Sequence, residues 1–98
     1  MFLIQGEERC KIGTSDSRRL RNIQNKIPSI IYGPNQTVLH ISIPHDIILN
    51  LHNKINLYQH EMIIQINNKK ILVKINAIQQ HCFKKKLLHI DFLYQKLL

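Results

Sequence analysis

The chain reads as mostly β with some α: a closed, mainly antiparallel barrel carrying short helices on its outside. Three observations predict this. Short segments with strand-type alternation outnumber helical ones along the 98 residues. Two of them flank an asparagine-rich turn, as a β-hairpin requires. A small sheet of such strands also removes its exposed edges by closing on itself. A chain of this length buries only one core, so a single domain over 1–98 is expected.

The elements follow in order. Phe2 and Ile4 share one side of an extended segment that reaches Arg9. Residues Lys11 to Asp16 form a loop containing Gly13, Thr14 and Ser15, and Ser15 or Asp16 can cap a helix running from Ser17 to about Lys26. At about 100° per residue, Leu20, Ile23 and Ile27 fall within about 60° of one another, with Arg18, Arg21, Asn22 and Asn25 opposite. Pro28 is expected to end that helix, because a proline disfavours the helical conformation at the residue before it. Ser29 to Tyr32 then reads as a short buried strand, and Gly33-Pro34-Asn35 as a turn.

From Thr37 to Ile43 the alternation is clean, with Leu39, Ile41 and Ile43 on one face and Val38, His40 and Ser42 on the other. Pro44 stops this strand. Asp46 is expected to cap a second helix that docks through Ile47, Ile48 and Leu51 and ends before Asn53, and a polar loop follows. Met62 to Ile66 and Lys70 to Ile75 flank Asn67-Asn68-Lys69 as the hairpin, since asparagine tolerates the left-handed backbone of a tight turn. A basic loop, Lys84-Lys85-Lys86, leads to a last strand in which Leu88, Ile90 and Phe92 alternate with His89 and Asp91. There are no internal repeats.

Fourteen lysines and arginines against six acids leave a formal +8, a field that attracts polyanions. Isoleucine, asparagine and lysine are all abundant, as AT-rich coding alone would make them, so clustered arginines are the more informative sign. The longest apolar runs are far below the roughly 20 residues of a bilayer span, and a membrane-surface reading would want a basic amphipathic helix or a lipidation signal; no leader and no membrane are expected. Cys10 and Cys82 have neither metal-site nor disulfide-framework spacing and read as reduced thiols.

Six histidines, at 40, 45, 52, 60, 81 and 89, invite a metal or catalytic reading, but none forms an HExxH helix or a zinc-finger quartet, so neither a metal nor a cofactor is expected. His89 and Asp91 are the best catalytic pair. Side chains two apart on a strand stand roughly 7 Å apart and more readily meet one ligand together. The three glycines, Gly6, Gly13 and Gly33, are scattered and make no phosphate cradle, and no small-molecule substrate is expected. The strongest local signal is Ser17-Arg18-Arg19-Leu20-Arg21: guanidinium groups this dense repel one another, and a phosphate-binding face explains them better than a solvated one. The helix N-terminus adds its own donors and positive end.

Taken together, Met1-Phe2, Ser17 to Arg21, Lys26 to Gly33, His45-Asp46, Val73-Lys74 and Leu88 to Phe92 resemble, in order and spacing, the bacterial large-subunit ribosomal protein twenty-five family, which is related to the general stress protein Ctc. The resemblance covers essentially the whole chain. It implies a six-stranded barrel with two or three helices, similar to the anticodon-binding region of glutaminyl-tRNA synthetase. The implied function is non-enzymatic: binding of the loop E region of 5S ribosomal RNA in the central protuberance of the large subunit, as a monomer in the cytoplasmic ribosome. The implied mode is reading the shape of a widened RNA minor groove, where ribose hydroxyls and base edges lie open.

Carried over by motif, the RNA contacts are Arg9, Ser17, Arg18, Arg19, Arg21, Tyr32, Asn76, Gln79, His89 and Asp91. The arginines would neutralise phosphates, Tyr32 and Gln79 would bond or pack at the groove, and His89 with Asp91 would address hydroxyls or base amines. The chain departs from the family pattern at Thr14, where relatives often carry a basic residue, and at Asn76-Ala77, where Gln-Asp is usual. The extra C-terminal domain of the Ctc-type members is not expected. The alternatives are an RNA-processing enzyme built on His89 and Asp91, and a non-ribosomal stress-response RNA binder.

Overall fold

Isoleucine dominates the segments that alternate in polarity, and its branched Cβ packs well on a pleated surface while losing rotamer freedom in a helix. The computed structural model, which describes residues 2–9, 25–34, 36–84 and 86–98, turns these segments into six strands. They are β1 (Phe2–Glu8), β2 (Lys26–Tyr32), β3 (Leu39–Pro44), β4 (Glu61–Ile66), β5 (Lys69–Gln80) and β6 (Leu87–Leu97). One helix, α1 (His45–Lys54), and a 3-10 turn at Leu57–Gln59 lie between β3 and β4.

The strands close into a barrel in the order β1-β3-β2-β6-β5-β4. Neighbours are antiparallel except at β1–β4 and β2–β6, which run parallel, so the sheet is mainly rather than wholly antiparallel. Inward residues from every strand meet in one apolar cluster, among them Ile4, Ile27, Ile41, Ile43, Ile64, Val73, Ile90 and Phe92.

Several expected boundaries move. Asn25 and Lys26 are not the last turn of a helix: Asn25 is left-handed at φ 53°, Lys26 opens β2, and Pro28 lies inside that strand. Proline is tolerated there because β6 begins pairing with β2 only at Ser29, so that stretch of β2 is not flanked on both sides. The rest of the expected first helix, with the loop before it, lies outside the described residues. The third strand starts at Leu39 rather than Thr37.

Asp46 does not cap α1. Pro44 is the N-cap residue, and Asp46 lies in the first turn, where its carboxylate accepts from Asn25 Nδ2 at 3.0 Å. Of the expected docking stripe, Ile48 is fully buried but Ile47 is half exposed, because the helix meets the barrel along a narrower seam. It also runs on to Lys54. The expected polar loop after it contains Leu57, fully buried, and Tyr58, whose hydroxyl accepts from the Ile78 N–H at 3.1 Å.

The hairpin turn is two residues, Asn67-Asn68, with Asn67 left-handed at φ 54°. Its second strand is twice as long as expected, carrying on to Gln80, with register shifts against β6 at Leu72/Val73, Ile75/Ala77 and Gln79/Gln80. The last shift brings Leu87 into the core and leaves Leu88, expected there, only half buried.

Candidate nucleic-acid interface

Alternation fixes which side chains the barrel turns outward. In β2, Ile27, Ser29 and Ile31 are buried, so Ile30 and Tyr32 face out; in β6, Ile90 and Phe92 are buried, so His89, Asp91 and Leu93 face out. In β5 the buried Val73 and Ile75 leave Lys74, Ala77 and Gln79 on the outside. In β1, Ile4 and Gly6 point inward, which puts Glu7 and Arg9 on the outer side.

The registers join these positions into rows. Arg9 donates its backbone N–H to the His40 carbonyl at 2.8 Å. His40 is opposite Ile30, Ile30 is beside Asp91, and Asp91 faces Ala77. One row thus runs from Arg9, the residue after β1, across β3, β2 and β6 to Ala77 on β5. The next row holds the Gln79–His89 pair, and on the other side Tyr32 adjoins Leu93, whose β5 partner is Lys74.

Two contacts tie the face together. Asn76 is the extra residue at the register shift between Ile75 and Ala77, and the bulge frees it to donate from Nδ2 to the Tyr32 hydroxyl at 2.6 Å. This bond bridges β5 to β2 over the top of β6. His89 and Asp91, expected to stand about 7 Å apart, lean together instead, with Nδ1 and Oδ1 3.0 Å apart and each side chain about one-third exposed, at 34% and 30%. A carboxylate accepts only, so Nδ1 is the donor, and the imidazole is held at a fixed angle. Asp91 sits between uncharged Ile30 and Ala77, which leaves His89 as its cross-face partner.

Of the ten residues expected at the site, Arg9, Tyr32, Asn76, Gln79, His89 and Asp91 therefore lie on one continuous outer surface. Ser17, Arg18, Arg19 and Arg21 lie outside the described residues. The same surface includes His40 and Lys74, which sequence reasoning left out. His40 was visible as an outward residue of its strand, but only the order β1-β3-β2 reveals that it stands between Arg9 and the β6 pair.

His45 belongs elsewhere. It is buried at 7% exposure, and its Nε2 accepts the Leu87 N–H at 3.1 Å while Nδ1 meets Asp46 Oδ1 at 3.1 Å. Its ring fastens the start of α1 to the start of β6, which positions His89 two residues further on. Among the described residues, no three His, Cys, Asp or Glu side chains gather as a metal-binding group.

A face of hydrogen-bonding side chains with basic residues at its margins can bind a polyanion by hydroxyls, bases and phosphates together. The model of the Ribosomal L25p family matches residues 4–92. The Large ribosomal subunit protein bL25 of Buchnera aphidicola subsp. Schizaphis graminum (strain Sg) is 44% identical over 97 residues, covering 99% of this chain and 100% of that protein. The bL25 of Buchnera aphidicola subsp. Acyrthosiphon pisum (strain Tuc7) is 46% identical over 94 residues, 96% of this chain and 98% of its own. That of Photorhabdus laumondii is 44% identical over 93 residues, 95% and 98% of the two chains. Matched along nearly its full length by the family model and by relatives at this identity, the chain belongs to the Ribosomal L25p family.

Proposed function

We propose that this chain is a structural, non-catalytic protein of the large ribosomal subunit that binds 5S ribosomal RNA at its loop E region, in the central protuberance. The observation that carries the reading is the gathering of Arg9, Tyr32, Asn76, Gln79, His89 and Asp91 on one outer face of a member of the L25p family. The resemblance to the family motifs supports this choice of RNA, and the chemistry of the face supports its mode of recognition.

Paired RNA offers a wide, shallow minor groove lined by 2′-hydroxyls and base edges, so a shallow sheet face with short polar side chains fits it better than a probing helix does. The Asn76–Tyr32 bridge and the His89–Asp91 pair hold four of those side chains before RNA arrives, which reduces the ordering cost of binding. Asp91 accepts hydrogen bonds from hydroxyls or base amines; Gln79 both donates and accepts. Arg9, with the arginines at 18, 19 and 21, supplies the phosphate contacts.

The test is chemical footprinting of 5S ribosomal RNA with and without the protein. Protection confined to loop E, with no strand scission, is the expected result, and it should be lost when His89 and Asp91 are both replaced by alanine. Protection elsewhere, or cleavage of the RNA that those replacements abolish, would overturn the reading.

A further inference from the structure

We infer that the loop joining β5 to β6 makes a second contact with the same RNA, in which the Phe83 ring stacks on an unpaired or bulged nucleobase and the neighbouring lysines meet its flanking phosphates. The inference rests on the RNA-binding reading above.

Phe83 is 95% exposed, while the next most exposed large apolar side chain described, Leu98, is at 55%. An apolar ring left wholly in water has no stabilising role in the fold. Nor is it a side chain that merely failed to tuck in, because the loop is built to hold it out. His81 Nδ1 accepts from the backbone N–H groups of both Phe83 and Lys84, at 3.1 and 3.2 Å. The His81 N–H donates to the Lys86 carbonyl at 2.9 Å, and the Lys86 N–H to the Lys84 carbonyl at 2.8 Å. The rings of His81 and Phe83 meet edge-on, with centroids 6.4 Å apart. This arrangement pre-organises the aromatic face toward an outside partner.

Charge selects the class of partner. From residue 62 to residue 90 the sequence holds six lysines and not one aspartate or glutamate, and Lys84 is exposed beside the ring. An apolar protein pocket would accept phenylalanine but gains nothing from such a surround. A nucleotide offers a flat base for the ring and phosphates for the ammonium groups, the combination used wherever single-stranded segments are held. Position agrees as well. Gln80 opposite Leu87 closes the β5–β6 ladder, so the loop extends from the end of the face where Gln79 and His89 sit, and one RNA can touch both.

The experiment is titration of full-length 5S ribosomal RNA against the intact chain and Phe83 variants, with His89→Ala as the control for the face. Phe83→Ala should weaken binding roughly five- to hundredfold, the usual consequence of removing one stacking ring, without altering the salt slope. Phe83→Tyr should retain affinity and Phe83→Leu should behave like the alanine variant, since stacking needs a π face. The chain has no tryptophan, so Phe83→Trp adds a sole indole whose emission should be quenched by the RNA. Unchanged circular dichroism confirms that each variant is folded. Full affinity of Phe83→Ala, while His89→Ala is impaired, overturns the loop contact alone and points the ring toward a protein neighbour. Full affinity of Phe83→Leu overturns stacking, and failure of the unaltered chain to bind overturns both this contact and the reading it rests on.

Discussion

At the scale of single residues, the node around His45 shows how one buried polar ring can fix three segments. Its backbone N–H donates to the carbonyl of left-handed Asn25, its Nε2 takes the N–H of fully buried Leu87, and its Nδ1 donates to Asp46. Replacing it with leucine keeps the bulk and removes the acceptor, leaving the Leu87 amide buried without a partner. His45→Leu should therefore lose about 1–3 kcal/mol in urea unfolding. A midpoint equal to that of the unaltered protein would mean that this amide finds another acceptor. Asp46 is held below its ordinary pKa of 3.8, first by the hydrogen bond from His45 and then by that from Asn25. A carboxyl whose folded pKa is depressed contributes stability above its unfolded value, and the contribution disappears as pH falls through the folded one. The melting temperatures of the protein and of Asp46→Asn should thus differ at neutral pH and converge in strong acid. A constant gap across that range would assign the effect of the substitution to something other than ionisation.

Elements impose constraints that no single residue reveals. Gly6 faces inward on β1 opposite Ile66, and a Cβ added there would come within 3.0 Å of Ile64 Cγ2 and 3.5 Å of Ile66 Cγ1. The glycine lets isoleucines of β4 fill the barrel where the two parallel strands meet. Gly6→Ala should cost about 1–3 kcal/mol by overpacking, measured by urea denaturation, and a loss below about 0.5 kcal/mol would show that β4 yields easily. This packing was not legible in the sequence, because the β1–β4 and β2–β6 pairs join distant segments and parallel registers leave no local mark. Legible elements were those whose two faces differ: His40 and Ser42 against Ile41 and Ile43, or His89 and Asp91 against Ile90 and Phe92, print a period of two on the chain. The far half of β5 leaves no strand rhythm in the sequence, because Asn76, Ala77, Gln79 and Gln80 are exposed and Ile78 between them is only half buried. The same polar run is what makes that half part of the interface. His89 and Asp91 are legible in the sequence as outward residues of a strand and Gln79 only through the family resemblance, whereas the Asn76–Tyr32 bridge needs a bulge and the place of His40 needs the strand order.

Over the whole molecule, the sign and placement of charge decide how binding should respond to salt. Among the described residues, Glu7 is engaged with Lys26 at 2.8 Å, Asp46 with His45, and Asp91 with His89. These pairings leave the formal charge at +8, and the surplus of lysines and arginines sets the long-range field, which draws an RNA in and releases its counterions on contact. The outer face then discriminates through hydrogen bonds that release none. These two contributions separate in one measurement, the affinity for a loop E fragment followed over a range of salt concentrations. For Arg18→Ala the affinity should fall by roughly 1–3 kcal/mol and the slope of log affinity against log salt should become shallower by about one, the signature of one lost phosphate contact. Tyr32→Phe removes a hydroxyl and its bond from Asn76 but no charge, so its line should drop by about 0.5–1.5 kcal/mol and stay parallel to that of the unaltered protein. If both lines shift in parallel, Arg18 does not contact phosphate. If the Tyr32→Phe line also flattens, the hydroxyl acts by positioning a charged neighbour, and the division of labour between phosphate-binding cations and hydrogen-bonding side chains fails for this barrel.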